Sequence, residues 1–241
     1  MSLLEDTRRK FSELVAAHKL LKENIQVVAA RPLKPEEVIG RPGREDFPLL
    51  KGKEVMLQAQ FRSSRGQAFT DMPGHYEGTI QDVLNLPLEN NFQRAVFVAT
   101  LNAVMRDLNL VDRTVHCRDQ EPEQCAEHLA KYIRERYGNP RIAFIGLQPA
   151  MVVKLSEHFP LRVVDLDPDN IGQKKGRVIV EDVSHTPEII EWCDIIVATG
   201  TTAVNDTLEP LLGSKPVIFY GVTIAGIARL SGFERYCFCG H

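Results

Sequence analysis

Residues at helical spacing open the chain. Phe11, Leu14, Val15, His18 and Leu21 fall on one stripe and predict a helix over residues 4–22. A strand over 25–30 follows, and then Pro32, Pro35, Pro42, Gly43 and Pro48 interrupt any regular pattern, so residues 31–50 read as turns and short extended pieces. Residues 55–61 read as a second strand. The polar run FRSSRGQAFT predicts a hairpin whose tip holds Arg62, Ser63, Ser64 and Arg65, with a return strand over 67–70. Between 91 and 108, apolar residues occupy two stripes, which predicts a helix buried on both faces. Asn102 lies inside that helix, and a buried amide must find partners, either neighbouring backbone or a ligand. A further helix over 122–137 has Pro122 in its first turn and Gly138 at its end.

The texture changes at Gly138-Asn139-Pro140. From there, short apolar runs alternate with helical segments: RIAFIG, a helix over 150–158, LRVVDLD, RVIVED, a helix over 187–192, DIIVATG, a helix beginning near Ala203, and PVIFYG. Strands of this kind are buried on both faces in a parallel sheet with right-handed crossovers. The expected fold class is therefore α/β: a smaller α+β domain over residues 1–138, and a Rossmann-like parallel-sheet domain over 139–241. Ligands in such sheets lie beyond the carboxyl ends of the strands, which nominates the residues just after each one.

After the first of these strands stands Gly146-Leu147-Gln148, one glycine where a dinucleotide fingerprint has three, so NAD is disfavoured. Gly146 and Gln148 remain candidates for contacting some other ligand. Asp165 and Asp167 end the second strand on one face, Asp165 being 19 residues past Gly146 and so placed for a ribose hydroxyl or a catalytic base, or else for capping the Pro168 turn. The strongest local signal is Thr199-Gly200-Thr201-Thr202 followed by Asn205, where a buried strand hands over to an expected helix start that would hold a carboxylate or phosphate. Arg62, from the hairpin, is the candidate to neutralise that ligand. The chain closes on Cys237, Cys239 and His241, a possible set of ligands for a divalent metal, with His116 or Cys117 as distant fourth partners. Cys125 and His128, at i and i+3 on a helix, are a weaker pair.

Charge and composition narrow the partners. The 29 basic and 32 acidic residues leave a net charge of −3 with no Lys/Arg block, against nucleic-acid binding. No apolar run approaches the roughly 20 residues that span a bilayer. An N-terminus of MSLLEDTRRK lacks the apolar core of a signal peptide, and five cysteines are too few and too odd for a disulfide scaffold, so a cytoplasmic location is expected.

The segments RAVFVATLNAV, RIAFIGLQPAMVVKL, RVVDLDPDN and VATGTTAVNDTL, in that order, resemble a family named for heavy-metal chelation. The resemblance implies an N-terminal domain similar to that of enolase, packed on the Rossmann-like domain with a shared cleft between them. It places site residues at Asn102, Gly146, Pro149, Asp165, Asp167, Thr199, Gly200, Thr201, Thr202 and Asn205. Where that family has a Gly-Pro-Ser-Thr-like loop, this chain has Tyr220-Gly221-Val222-Thr223, with Thr223 as the candidate replacement hydroxyl. The expected function is a small-molecule-binding protein, an enzyme acting on a metal-chelating or heterocyclic metabolite in the inter-domain cleft. The alternatives are a metal-binding or delivery protein working through the cysteine tail, and an S-adenosylmethionine-dependent methyltransferase.

Overall fold

A computed structural model describes residues 2–29, 39–51, 54–213 and 215–241. Helix α1 (Leu3–Ala17) is five residues shorter at its carboxyl end than the stripe suggests. Lys19 adopts φ +60°, and the amides of Lys19 and Leu20 turn back to the carbonyls of Ala16 and Val15. That pattern is a Schellman stop, and it tucks Leu20 into the core.

Strands β1 (Asn24–Ala29), β2 (Val55–Phe61), β3 (Ser64–Thr70) and β4 (Tyr76–Thr79) form an antiparallel sheet in the order β3-β2-β1-β4. Phe61 pairs with Ser64, so the hairpin tip is only Arg62 and Ser63; Ser64 and Arg65 already belong to the return strand. A short helix, α2 (Ile80–Leu84), begins at a capping box made by Thr79 and Asp82. Helix α3 (Asn91–Asp107) lies against β2 and β3 and is buried without a break over residues 94–105. Its other side meets the second half of the molecule.

That half carries helix α4 (Glu121–Tyr137), strand β5 (Ile142–Ile145), helix α5 (Pro149–His158), β6 (Leu161–Asp165), β7 (Lys174–Lys175) and β8 (Val178–Asp182). After helix α6 (Thr186–Trp192) come β9 (Ile195–Thr199), β10 (Val217–Tyr220), helix α7 (Ala225–Ser231) and β11 (Glu234–Tyr236). The sheet order is β11-β10-β9-β5-β6-β8-β7, parallel throughout except for β7. Counting its parallel strands in chain order gives 3-2-1-4-5-6, the doubly wound arrangement, with the switch point between β5 and β9. The expected α/β class with a Rossmann-like sheet is what forms.

Side-chain alternation along these strands sorts the core into two layers. Ile142 and Phe144 face one cluster together with Leu129 and Ile133 of α4 and Leu155 of α5. Ala143 and Ile145 face the other, which runs without interruption through α3 to Phe11 and Val15 of α1. Helix α4 thus covers the parallel sheet, although it precedes the Gly138-Asn139-Pro140 turn. We propose that the division between the two units falls ahead of Glu121 rather than at residue 138.

Candidate functional site

Beyond the carboxyl ends of β5 and β9, at the switch point, lies a cavity of about 1180 Å³. The loops after β5, β6, β9 and β10 wall one side of it, and Glu54, Phe69 and Asp71 of the antiparallel sheet wall the other. Glu54 sits immediately before β2 and Asp71 immediately after β3. Strand pairing therefore brings both carboxylates to one end of that hairpin.

Gly146 holds the β5 loop at φ +85°. A Cβ there would come within 2.5 Å of Thr199 Cγ2, so only glycine lets the β5 and β9 loops close on each other. The Tyr220 hydroxyl donates to the Gly146 carbonyl at 2.9 Å and ties in the β10 loop. Replacing Tyr220 with phenylalanine should cost about 1 kcal/mol in a denaturant titration. A loss above about 3 kcal/mol would show that this hydroxyl does more than hold one carbonyl. Gln148 lines the cavity and also caps α5, its Oε1 accepting from Met151 N at 2.5 Å.

Asp165 reaches the cavity but serves its own loops first. Its Oδ2 accepts from Leu147 N at 2.6 Å, and its Oδ1 accepts from Asp167 N and Asn170 Nδ2 at 2.9 and 3.0 Å. The carboxylate expected at a ribose hydroxyl is thus committed to holding two loops together. Asp167 also lines the cavity, and its Oδ1 accepts from Asp169 N.

The Thr199 loop departs from expectation. In place of a helix there is one 3-10 turn over Gly200–Ala203; Asn205 and Thr207 bond back to Thr201 and Thr202, and Asp206 turns to φ +58°. A single turn sums too few peptide dipoles to favour an anion. The Thr199 hydroxyl accepts from Thr201 N at 3.3 Å, and the Thr202 hydroxyl donates to Thr199 O at 2.8 Å. Gly200, Thr201, Thr202 and Asn205 nonetheless all face the cavity.

Asn91 carries the polar network across to the other sheet. Its Nδ2 donates to Asp71 Oδ1 at 2.8 Å and to Asn205 Oδ1 at 3.3 Å, while its Oδ1 accepts from buried Arg94 at 2.6 Å.

Electrostatics give the cavity its character. Glu54, Asp71, Asp165, Asp167 and Glu191 line it, and among the described residues no lysine or arginine does. Burial first, and then the charges of Asp165, Asp71 and Asp167, push the Glu54 carboxyl up to about 7. His116, whose ring meets that of Phe69 edge-on at 5.3 Å, is brought down to about 4 by burial and is neutral near pH 7. Sequence reasoning missed Glu54, Asp71 and Asn91, and named His116 only as a distant metal partner. The available signal was that Glu54 and Asp71 bracket a strand pair whose inner residues are apolar.

Two expected placements do not hold. Arg62 adopts φ +52° at the hairpin tip and pairs with Asp107 at 3.0 Å, its side chain 50% exposed. The seven residues of β2 separate it from the Glu54 end of the strand by about 20 Å, so it does not reach the cavity. Asn102 is fully buried, but its Nδ2 donates to the carbonyls of Gln67, Val222 and Thr223, and its Oδ1 accepts from Gly226 N. It joins β3 to the loop before α7 rather than facing a ligand. Thr223 does line the cavity, and its hydroxyl accepts from Phe69 N at 3.2 Å.

The tail does not fold into a chelate. His241 Nε2 meets Glu121 at 2.9 Å, Cys237 Sγ faces the Arg113 carbonyl at 4.0 Å, and His128 stacks on Phe238 at 3.7 Å. Among the described residues no three His, Cys, Asp or Glu side chains converge closely enough to hold a metal ion. A resident ion enclosed by protein donors does not fit this arrangement.

The strand order, the switch-point cavity and the antiparallel module that walls it define a Rossmann-like α/β protein with a second α+β unit. Residues 128–231 match the family described as "Putative heavy-metal chelation". That span contains the last three of the four segments on which the resemblance rests, while RAVFVATLNAV lies ahead of it. Two solved structures from the same family share the fold. One, a protein of unknown function from Pyrococcus horikoshii, is 18% identical over 92% of this chain and 79% of its own, with a TM-score of 0.56. The other, from Desulfitobacterium hafniense DCB-2 and also of unknown function, is 11% identical over 73% of this chain and 72% of its own, with a TM-score of 0.50. No curated protein matches. Among the described residues no helix is long and apolar enough to cross a membrane.

Proposed function

We propose that the cavity between the two sheets binds a small heterocyclic or metal-chelating metabolite that carries positive charge, and that Glu54 exchanges a proton with it. The observation behind this reading is the cavity's charge: five carboxylates and, among the described residues, no lysine or arginine. Bringing an anion against these groups would cost Coulomb energy in a partly desolvated space, whereas a protonated amine or a chelated cation would relieve their mutual repulsion. A metal arriving inside a chelate brings its own donors, so the lack of a three-donor cluster is no obstacle. A carboxyl titrating near 7 is matched to general acid–base work at neutral pH.

Under this reading Thr201, Thr202 and Asn205 offer hydroxyl and amide contacts to the ligand. Gly146, Gln148 and Asp165 shape the pocket, Asp167 adds charge, and phenyl and aliphatic side chains such as Phe69 and Leu147 hold its flat faces. Native mass spectrometry of protein purified without chelator tests it. The expected result is a retained cationic or metal-bearing small molecule, lost from the Glu54→Gln, Asp71→Asn double variant. Retention of a phosphorylated or other anionic species, or equal retention by the double variant, would overturn the reading.

A further inference from the structure

The cavity has an apolar part beside its carboxylates. Ile39, Phe47 and Leu49, from the segment ahead of β2, line it together with Cys125 of α4, Leu147 and Met151. All six belong to one apolar cluster, and none is more than 9% exposed. Among the described residues, neither that segment nor α4 nor α5 contributes a charged side chain to the lining. The segment's own charges lie elsewhere. Arg41 and Glu45 are exposed, and Asp46 pairs with Lys175 of β7 at 2.8 Å and with Arg44 at 3.0 Å. At the other end Asp119 Oδ1 accepts from Arg41 N at 2.8 Å, and Asp119 N donates to the Ile39 carbonyl at 2.8 Å. Residues 39–46 are thus tied to the rest of the fold at both ends, which fixes the apolar side chains that wall this recess.

The recess adjoins the acidic group directly. The Leu147 amide donates to Asp165 at 2.6 Å, and Met151 follows about one helical turn on, in the first turn of α5. A ligand whose charge lies at the carboxylates can therefore extend past Leu147 and Met151. At about 1180 Å³ the cavity exceeds the roughly 300 to 1,000 Å³ of ordinary small-molecule sites, so one protonated ring occupies only part of it. The remainder of such a ligand must suit the walls. Burying methylene or aryl carbon against them is favourable, whereas a polar group placed there would lose its water without gaining a partner. Met151, flexible and polarizable, lets the wall follow the shape of what it meets.

We propose that the cavity is a site for an amphipathic organic cation: a protonated nitrogen against Glu54, Asp71, Asp165 and Asp167, and an alkyl or aryl substituent in the recess walled by Phe47, Leu49, Leu147 and Met151. The head of this ligand rests on the charge reading given above. Its tail rests on separate residues, so the two assignments fail separately.

Ligand-observed NMR titration of the full chain with n-alkylammonium ions from ethyl to octyl, and with n-alkanols of the same lengths, tests the proposal. Wild type is expected to bind one ammonium ion per chain, about fourfold more tightly for each added methylene until the recess is filled. Met151→Gln, which sets a neutral amide of similar length in the wall, should weaken octylammonium about tenfold and leave ethylammonium unchanged. Phe47→Ala should move the plateau to a longer chain, a gain that misfolding does not produce. Affinity independent of chain length in wild type, or a series left unchanged by both substitutions, would overturn the tail assignment while the charge reading stands. Alkanols that climb by the same steps and bind as tightly as the ammonium ions would overturn the cationic head and leave the recess as an apolar subsite.

Discussion

Asn102→Leu should unfold about 10 °C below wild type, a loss of about 3 to 4 kcal/mol. Leucine matches asparagine in shape and suits a helix, so neither volume nor propensity predicts so large an effect. The cost comes from what remains behind. Gly226 N loses the Asn102 carbonyl oxygen it donates to, and the Gln67, Val222 and Thr223 carbonyls lose a shared donor. These groups are sealed between α3, β3 and α7, where water cannot replace the amide, and each orphaned group costs about 1 to 3 kcal/mol. Thermal unfolding followed by far-ultraviolet circular dichroism reads the shift. A decrease under about 2 °C would mean that the joint relaxes or admits water. Because Asn102 stands outside the cavity, ligand retention at temperatures below the transition should persist in this variant.

Much of this joint was legible in the chain, and its partners were not. Apolar residues on both stripes of 91–108 require a helix buried on two sides, and that in turn requires Asn102 to be bonded. Nothing local announces that its partners lie 35 residues back and 120 or more ahead. Helix α7 went unrecognised for a related reason. The segment after Tyr220 read only as a loop, yet Gly226 within it is where α7 approaches α3: a Cβ there would come within 2.6 Å of Leu101 Cγ. The opposite error occurred after β9, where Thr-Thr-Ala-Val suggested a helix. Back-bonding by threonine hydroxyls and the left-handed turn at Asp206 stop it after a single turn.

The parallel sheet was readable because strands buried on both faces have few polar positions to confuse the pattern. The cavity was readable only on the side that the sheet builds. Its acidic far wall depends on antiparallel register, which sets Glu54 and Asp71 at one end of a hairpin and Arg62 at the other. Sequence places Arg62 in a polar turn but cannot say which end of the hairpin meets the cleft. The place of the tail is likewise a product of topology, since β11 returns it to α4 across more than a hundred residues. Spacing alone suggested Cys237 with Cys239; Cys239 packs against the apolar cluster beneath α4 that also holds Cys125.

Glu54→Gln should stabilise the protein above neutral pH while removing its capacity to hold a cationic ligand. The carboxyl moves from an ordinary value of 4.5 to about 7 in the folded chain. Between these values the folded state keeps a proton that the unfolded state has released. Stability supplied by the proton is therefore complete below about 4.5 and is lost as pH rises through about 7. Above that pH, wild type holds a buried charge beside Asp165, Asp71 and Asp167 at a cost of up to about 3 kcal/mol. Glutamine carries no such charge. The variant and wild type should melt within about 2 °C of each other near pH 5, while the variant melts about 6 °C higher at pH 8. A gap of the same size at both pH values would show that Glu54 does not titrate in this range and would remove its proton-exchange role. A group kept at such a cost to the fold is what a site selected for function over stability would contain, so the same substitution that raises the melting temperature is expected to empty the cavity of its ligand.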